Sequence, residues 1–113
     1  MKATRQVRVV LVTCGSGGEA RRIARSAVEK RLAACGNILA APVESIYRWQ
    51  RKVEKAREVL LILKTSAKRL AELETEVKRL HSYDVPEFIA FRISEGSENY
   101  LSWVQDSVGR KKP

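Results

Sequence analysis

The sequence predicts an α+β fold with the strand and helix order of a ferredoxin-like sandwich, and three observations predict it. Residues 43–65 read as a long antiparallel hairpin, with β-branched and aromatic residues on both sides of the polar Gln50, Arg51 and Lys52, residue types that suit a pleated, half-buried surface. Two segments with apolar residues at helical spacing flank other extended runs, giving the order strand, helix, strand, strand, helix, strand and a further helix. Three of the extended runs are apolar on both faces. Two main helices cover one face of a four-stranded sheet, so the other face is expected to meet a second copy of the chain.

Taken in order, residues 7–13 are apolar on both faces apart from Arg8, the pattern of a central strand. Gly15, Gly17 and Gly18 break it, and Ser16 followed three residues later by Glu19 has the form of a capping box that opens a helix. Ala20, Ile23, Ala24, Ala27, Val28 and Leu32 fall on one stripe of that helix, which Gly36 and Asn37 are expected to end. Residues 38–41 begin the second strand. Pro42 cannot donate to a ladder, so the chain is expected to bend there before the hairpin arm. In that arm Val43, Ser45, Tyr47 and Trp49 share one face and Glu44, Ile46 and Arg48 the other. The returning arm is charged over residues 53–58 and apolar over residues 59–63, so its outer half is expected to be wet and its inner half buried. Ser66 is the expected N-cap of a second helix whose inner face carries Leu70, Leu73, Val77 and Leu80. Pro86 pushes Val85 to extended geometry, residues 87–93 form the fourth strand, and Ser97 is expected to cap a last helix carrying Tyr100, Leu101, Trp103 and Val104.

With 113 residues, the chain is expected to be one domain spanning residues 1–113. Its structured core covers 7–108, and a basic tail over 109–113 frays. The 22 Lys and Arg exceed the 13 Asp and Glu, a net charge of +9. That excess is spread over both termini, the first helix and the hairpin, and no basic run exceeds three residues, so a solvated face of mixed charge accounts for it better than a nucleic-acid groove. Cys14 and Cys35 are too few and too far apart for a disulfide framework or a zinc knuckle and read as reduced thiols of a cytosolic protein. The N-terminus lacks the pattern of a secretory leader, and no run approaches the ~20 apolar residues of a membrane span.

Five motifs in register carry a resemblance. They are Arg31-Leu-Ala-Ala-Cys-Gly-Asn-Ile38, Ser45-Ile-Tyr-Arg-Trp49, Glu58-Val-Leu-Leu-Ile-Leu-Lys-Thr65, His81-Ser-Tyr-Asp-Val-Pro-Glu87, and Gly96 with Tyr100-Leu-Ser-Trp103. Over residues 7–108 the sequence resembles the CutA family, the divalent-cation-tolerance proteins. The resemblance implies a cytoplasmic homotrimer of ferredoxin-like subunits with sheets packed inward and hairpin arms reaching onto neighbours. It also implies an association with tolerance of copper and other divalent metals, and no accepted catalysis. The sequence departs from the family at five positions. Ser82 and Asp84 replace a Pro and a Glu. Arg51 stands where the hairpin turn usually carries Gly, which predicts a different turn type. Val12 stands where members with a proposed copper site have Cys, and Leu80 precedes His81 where those members have a second His.

Cys14 and His81 are therefore the candidate metal ligands, since thiolate and imidazole suit copper or zinc. Cys14 is two residues from Val12 and on the same pleat face, a displaced substitute. Against this stand two plain roles: Cys14 as a small hydrophobe and His81 as a complement to a helix C-terminus. By resemblance Tyr47, Trp49, Lys64, Tyr83, Glu87 and Trp103 line clefts between subunits, where Lys64 and Glu87 are expected either to hold a small anionic ligand or to pair with each other. A basic RNA-binding module of the same strand order is the alternative. It needs aromatics on its central strands to stack bases, and these strands have none. With one histidine, no Gly-x-Ser-x-Gly and no phosphate loop, an enzyme is the least supported class.

Overall fold

A computed structural model describes residues 1–109. The chain runs β1 (Lys2–Ala3), β2 (Val7–Cys14), α1 (Gly17–Glu29), β3 (Cys35–Ile38), β4 (Val43–Trp49), β5 (Lys52–Ser66), a 3-10 turn (Ala67–Arg69), α2 (Leu70–Leu80), β6 (Ile89–Arg92), β7 (Glu95–Gly96) and α3 (Glu98–Ser107). The main sheet has the antiparallel order β3-β5-β2-β6, and β4 pairs only with the outer half of β5. This is the ferredoxin-like order expected from the sequence, with the hairpin projecting beyond it.

Alternation along β2 and β5 decides what packs where. Val10, Val12, Cys14, Leu61 and Leu63 form a closed core with Ala20, Ile23, Ala24 and Ala27 of α1 and Leu73 and Val77 of α2. Between these helices Glu76 accepts from Ser26, Lys30 and Arg79 at 2.5, 2.9 and 2.7 Å, and its carboxyl is held well below the usual range, by the Arg79 hydrogen bond above all. Val7, of opposite parity, joins Ala34, Leu101, Val104 and Val108 under α3. The rest of that second face is thinly covered. Val9, Leu11, Leu60 and Ile62 are half-buried, and Ile89 and Phe91 are 47% and 49% exposed.

Several expected boundaries move. Helix α1 ends at Glu29, because Arg31 adopts φ 59° and the Leu32 and Ala33 N–H groups both turn back to the Ala27 carbonyl. Gly36 and Asn37 consequently lie inside β3, which starts three residues before the expected strand. Gly36 serves packing: a Cβ there would stand 3.0 Å from Ala24 Cβ and 3.1 Å from Leu63 Cδ2. The Ser66 and Ser97 hydroxyls make no capping bonds, and α2 is entered through the 3-10 turn. The fourth strand is shorter than residues 87–93, and Phe88 leaves it to pack against the closed core. The small β1–β7 pairing, Lys2 opposite Gly96, has too little apolar pattern to be read from sequence. Residues 110–113 of the expected tail lie outside the described residues.

The hairpin turn corrects the expectation drawn from Arg51. Trp49 faces Lys52 across a two-residue turn, and Gln50 and Arg51 have φ 48° and 71°. The primed geometry is kept although neither residue is glycine, because it matches the twist of the flanking strands. Left-handed backbone costs an ordinary residue roughly 1–2 kcal/mol, partly offset by the freedom glycine loses on folding. Arg51→Gly is therefore expected to raise stability by about 0.5–1 kcal/mol. A urea midpoint equal to or below that of the parent would contradict this account of the turn.

Candidate cation site

The site is assembled where β2 ends, α1 begins and α2 gives way to the loop before β6. The Ser16 hydroxyl accepts from the Glu19 N–H at 3.2 Å, the first half of the expected capping box. The second half is not made. The Glu19 carboxylate instead accepts from the Ser82 N–H at 3.2 Å and the Ser82 hydroxyl at 2.8 Å, and one oxygen stands 3.1 Å from His81 Nδ1. His81 is the C-cap of α2. Its Nε2 lies 2.8 Å from the Thr13 carbonyl, which can only accept, so the ring proton sits on Nε2. Nδ1 then has a lone pair available, which accepts the Tyr83 N–H at 3.1 Å.

Cys14, Glu19 and His81 are all buried, and their donor atoms lie within 4.8 Å of one another. Thiolate, imidazole and carboxylate together suit zinc or copper better than magnesium or calcium. The histidine is already oriented as a ligand would be, its far nitrogen fixed by a backbone carbonyl. The structure thus brings the two expected ligands together and adds Glu19. The capping box had accounted for Glu19, and only the folded loop shows its carboxylate turned elsewhere. Burial pushes the Cys14 thiol up to about 12, and the charges of Glu19 and Glu58 push the same way. The free protein therefore holds a thiol here, and a bound ion would have to displace its proton.

Four of the six expected cleft residues, Tyr47, Trp49, Tyr83 and Glu87, line one cavity of about 620 Å³ at the base of the hairpin, together with Thr13, Glu58 and Asp84. Lys64 and Trp103 do not. Lys64 lies six residues along β5 from Glu58, opposite Val9 and Cys35, and its ammonium donates to Asn37 Oδ1. Trp103 packs beside Tyr100, ring centres 5.6 Å apart. Within one chain Lys64 therefore does not reach Glu87. The thinly covered face of the central strands presents Val9, Leu11, Leu60 and Ile62, none of them aromatic, so the stacking platform of an RNA-binding module is missing there.

Fold and site define a small ferredoxin-like α+β protein with a buried donor triad suited to a divalent cation. Residues 8–107 match the family model described as CutA1 divalent ion tolerance protein. A Thermus thermophilus protein named divalent-cation tolerance protein CutA is 46% identical over 101 residues, covering 89% of this chain and 97% of its own. The Thermus structure superposes with a TM-score of 0.88 over 91% of this chain and 99% of that one. A rice CutA1 structure, 40% identical, gives 0.89 over 97% and 100%. A 39% identical Archaeoglobus fulgidus structure, named a periplasmic divalent cation tolerance protein, gives 0.87 over 91% and 99%. The chain belongs to the CutA1 divalent ion tolerance protein family.

Two outcomes follow from this geometry. Glu19→Ala strips the acceptor from the Ser82 N–H and hydroxyl in a buried place and is expected to cost about 2 kcal/mol; an unchanged urea midpoint would show that the carboxylate ties nothing together. The folded Cys14 thiol keeps its proton up to about 12, while an unfolded one loses it near 9.0. Between those values the folded state binds more protons, so stability falls as pH rises. Stability measured from pH 8.5 to 10.5 should fall less steeply in Cys14→Ala, and parallel curves would refute the assignment.

Proposed function

We propose that this chain binds a divalent metal ion, copper or zinc in character, at Cys14, Glu19 and His81, and that it acts as a binding protein and not as a catalyst. The convergence of three different donor types within 4.8 Å, in a buried place, carries this reading. The ions tolerated by the family supply the class, and the thiol and imidazole narrow it to soft or borderline ions.

The working form we propose is a homotrimer in the cytoplasm. Half-exposed Ile89 and Phe91 beside half-buried Val9, Leu11, Leu60 and Ile62 support association through the sheet. Ile46 and Val53, 68% and 64% exposed on the projecting hairpin, support arms that reach onto neighbours. The number three is what the family resemblance implies. Two free cysteines fit a reducing compartment, and the periplasmic name of the Archaeoglobus structure belongs to that protein.

Calorimetric titration of chelator-treated protein with Zn(II), Cu(II) and anaerobic Cu(I) tests the metal reading. The expected result is one ion per subunit with release of the thiol proton. Cys14→Ser and His81→Ala should each weaken binding at least about tenfold, and Glu19→Gln about 10–100-fold. Absence of saturable heat, or binding that none of the three variants changes, would leave the triad as a hydrogen-bonded staple only. Light scattering tests the assembly: three times 12.8 kDa is expected, and a folded protomer of single mass at micromolar concentration overturns it.

A further inference from the structure

Three arginines meet at the end of the sheet away from the triad, since β2 carries Arg8 near its start and Cys14 at its last position. Arg8 lies directly opposite Arg92 of β6 in the antiparallel register, which sets both side chains on one face with Cβ atoms roughly 5 Å apart. Like charges so placed repel unless an anion stands between them. Arg5, in the bend before β2, completes the group. A cavity of about 650 Å³ is lined by Thr4, Arg5, Arg8, Arg92, Ile93 and Ser94, with no Asp or Glu among them. No ion pair among the described residues involves any of the three arginines. Arg8 is nonetheless held in place: one of its Nη atoms donates to the Arg5 and Val7 carbonyls at 2.7 and 3.2 Å, which leaves Nε and the other Nη to a ligand. The Thr4 hydroxyl oxygen accepts from the Gln6 and Val7 N–H groups at 3.2 and 3.4 Å, so its own proton can be donated outward.

We propose that this cleft binds the phosphate group of a small phosphorylated molecule, gripped between the Arg8 and Arg92 guanidinium groups with Arg5 and the Thr4 and Ser94 hydroxyls beside them. A guanidinium offers paired N–H donors that match two oxygens of a phosphate, and two such forks suit its double charge. The space is of the size that takes a small organic ligand and not a bare ion alone, and Ile93 offers the organic part an apolar contact. A nucleic-acid backbone fits less well, because it needs cations tracking along a surface, whereas these three converge on one cavity. The cleft does not lie on the face through which the proposed trimer associates. Arg8 and Arg92 alternate with Val9 and Phe91, which face the neighbouring copies, and Arg8 shares its side of β2 with Val10, buried under the helices. The inference is also independent of the metal reading, since the cleft and the triad share no residue.

The test is calorimetric titration of the full-length, assembled and chelator-treated protein in phosphate-free buffer with inorganic phosphate, ribose 5-phosphate and ribose, while the backbone N–H signals of Thr4 and Ser94 are followed by NMR. Both phosphates are expected to bind saturably and to move both signals, ribose 5-phosphate at least as tightly as inorganic phosphate, with affinity falling as chloride is raised. Ribose is expected to give neither heat nor shift. Arg92→Gln, at an exposed position, and Arg8→Gln should each lower phosphate affinity at least about tenfold. Arg92→Lys should lower it less, since an ammonium keeps the charge and loses the fork. Arg22→Gln, on the exposed side of α1, should leave it unchanged. The proposal is overturned if the assembled protein shows no saturable binding, which is what a counter-charge from a neighbouring subunit would produce. Affinity retained in both glutamine variants, an equal loss in Arg22→Gln, or binding of inorganic phosphate with exclusion of ribose 5-phosphate overturns it as well.

Discussion

The ladder between β2 and β5 is the constraint on which the rest depends. It runs from Val7 opposite Ser66 to Cys14 opposite Val59, and at its end β5 changes partner, so that Glu58 pairs with Val43 of β4. One long strand therefore belongs first to a free-standing hairpin and then to the sheet. The triad and the cavity both lie at this exchange. Because successive side chains take opposite faces, Cys14 turns toward the helices and the triad, whereas Thr13 and Glu58 turn toward the cavity. Tyr83 joins the two, its N–H on His81 Nδ1 and its hydroxyl on Glu58.

Hydrogen bonds that look local in the sequence are used at long range in the fold. A capping box would spend Glu19 on its own helix. Here the backbone half is kept, and the carboxylate bridges 63 residues of sequence to Ser82. That bridge and the His81 bond to Thr13 hold the α2–β6 loop against the end of β2. The loop in turn supplies Tyr83, Asp84 and Glu87 to the cavity wall. Packing on the far side does comparable work at Gly36, where a Cβ would crowd Ala24 of α1 and Leu63 of β5.

Charge in this protein is arranged against its own average. The basic excess lies on α1, the hairpin and the termini, and most of it is exposed among the described residues. The acidic groups that matter are drawn inward: Glu76 between two helices, Glu19 in the triad, Glu58 in the cavity. Glu76 is fully compensated by Ser26, Lys30 and Arg79, and Glu19 accepts two hydrogen bonds from Ser82. Glu58 has only a tyrosine.

Periodicity alone determined the element order, the two-sided apolar strands, the inner faces of α1 and α2, and the division of β5 into a wet and a buried half, because these follow from spacing along one chain. The family resemblance carried by motifs in register, and not periodicity, pointed to Cys14 and His81 and to four residues of the cavity. What it did not determine was partnership. Residue type gives no means of knowing that Arg31 rather than Gly36 ends α1, that a primed turn forms without glycine, that Lys64 reaches Asn37 within its own chain, or that Glu19 joins Cys14 and His81. Each of those depends on which side chains are brought within about 3 Å from distant parts of the chain, and only the closed tertiary structure sets such distances.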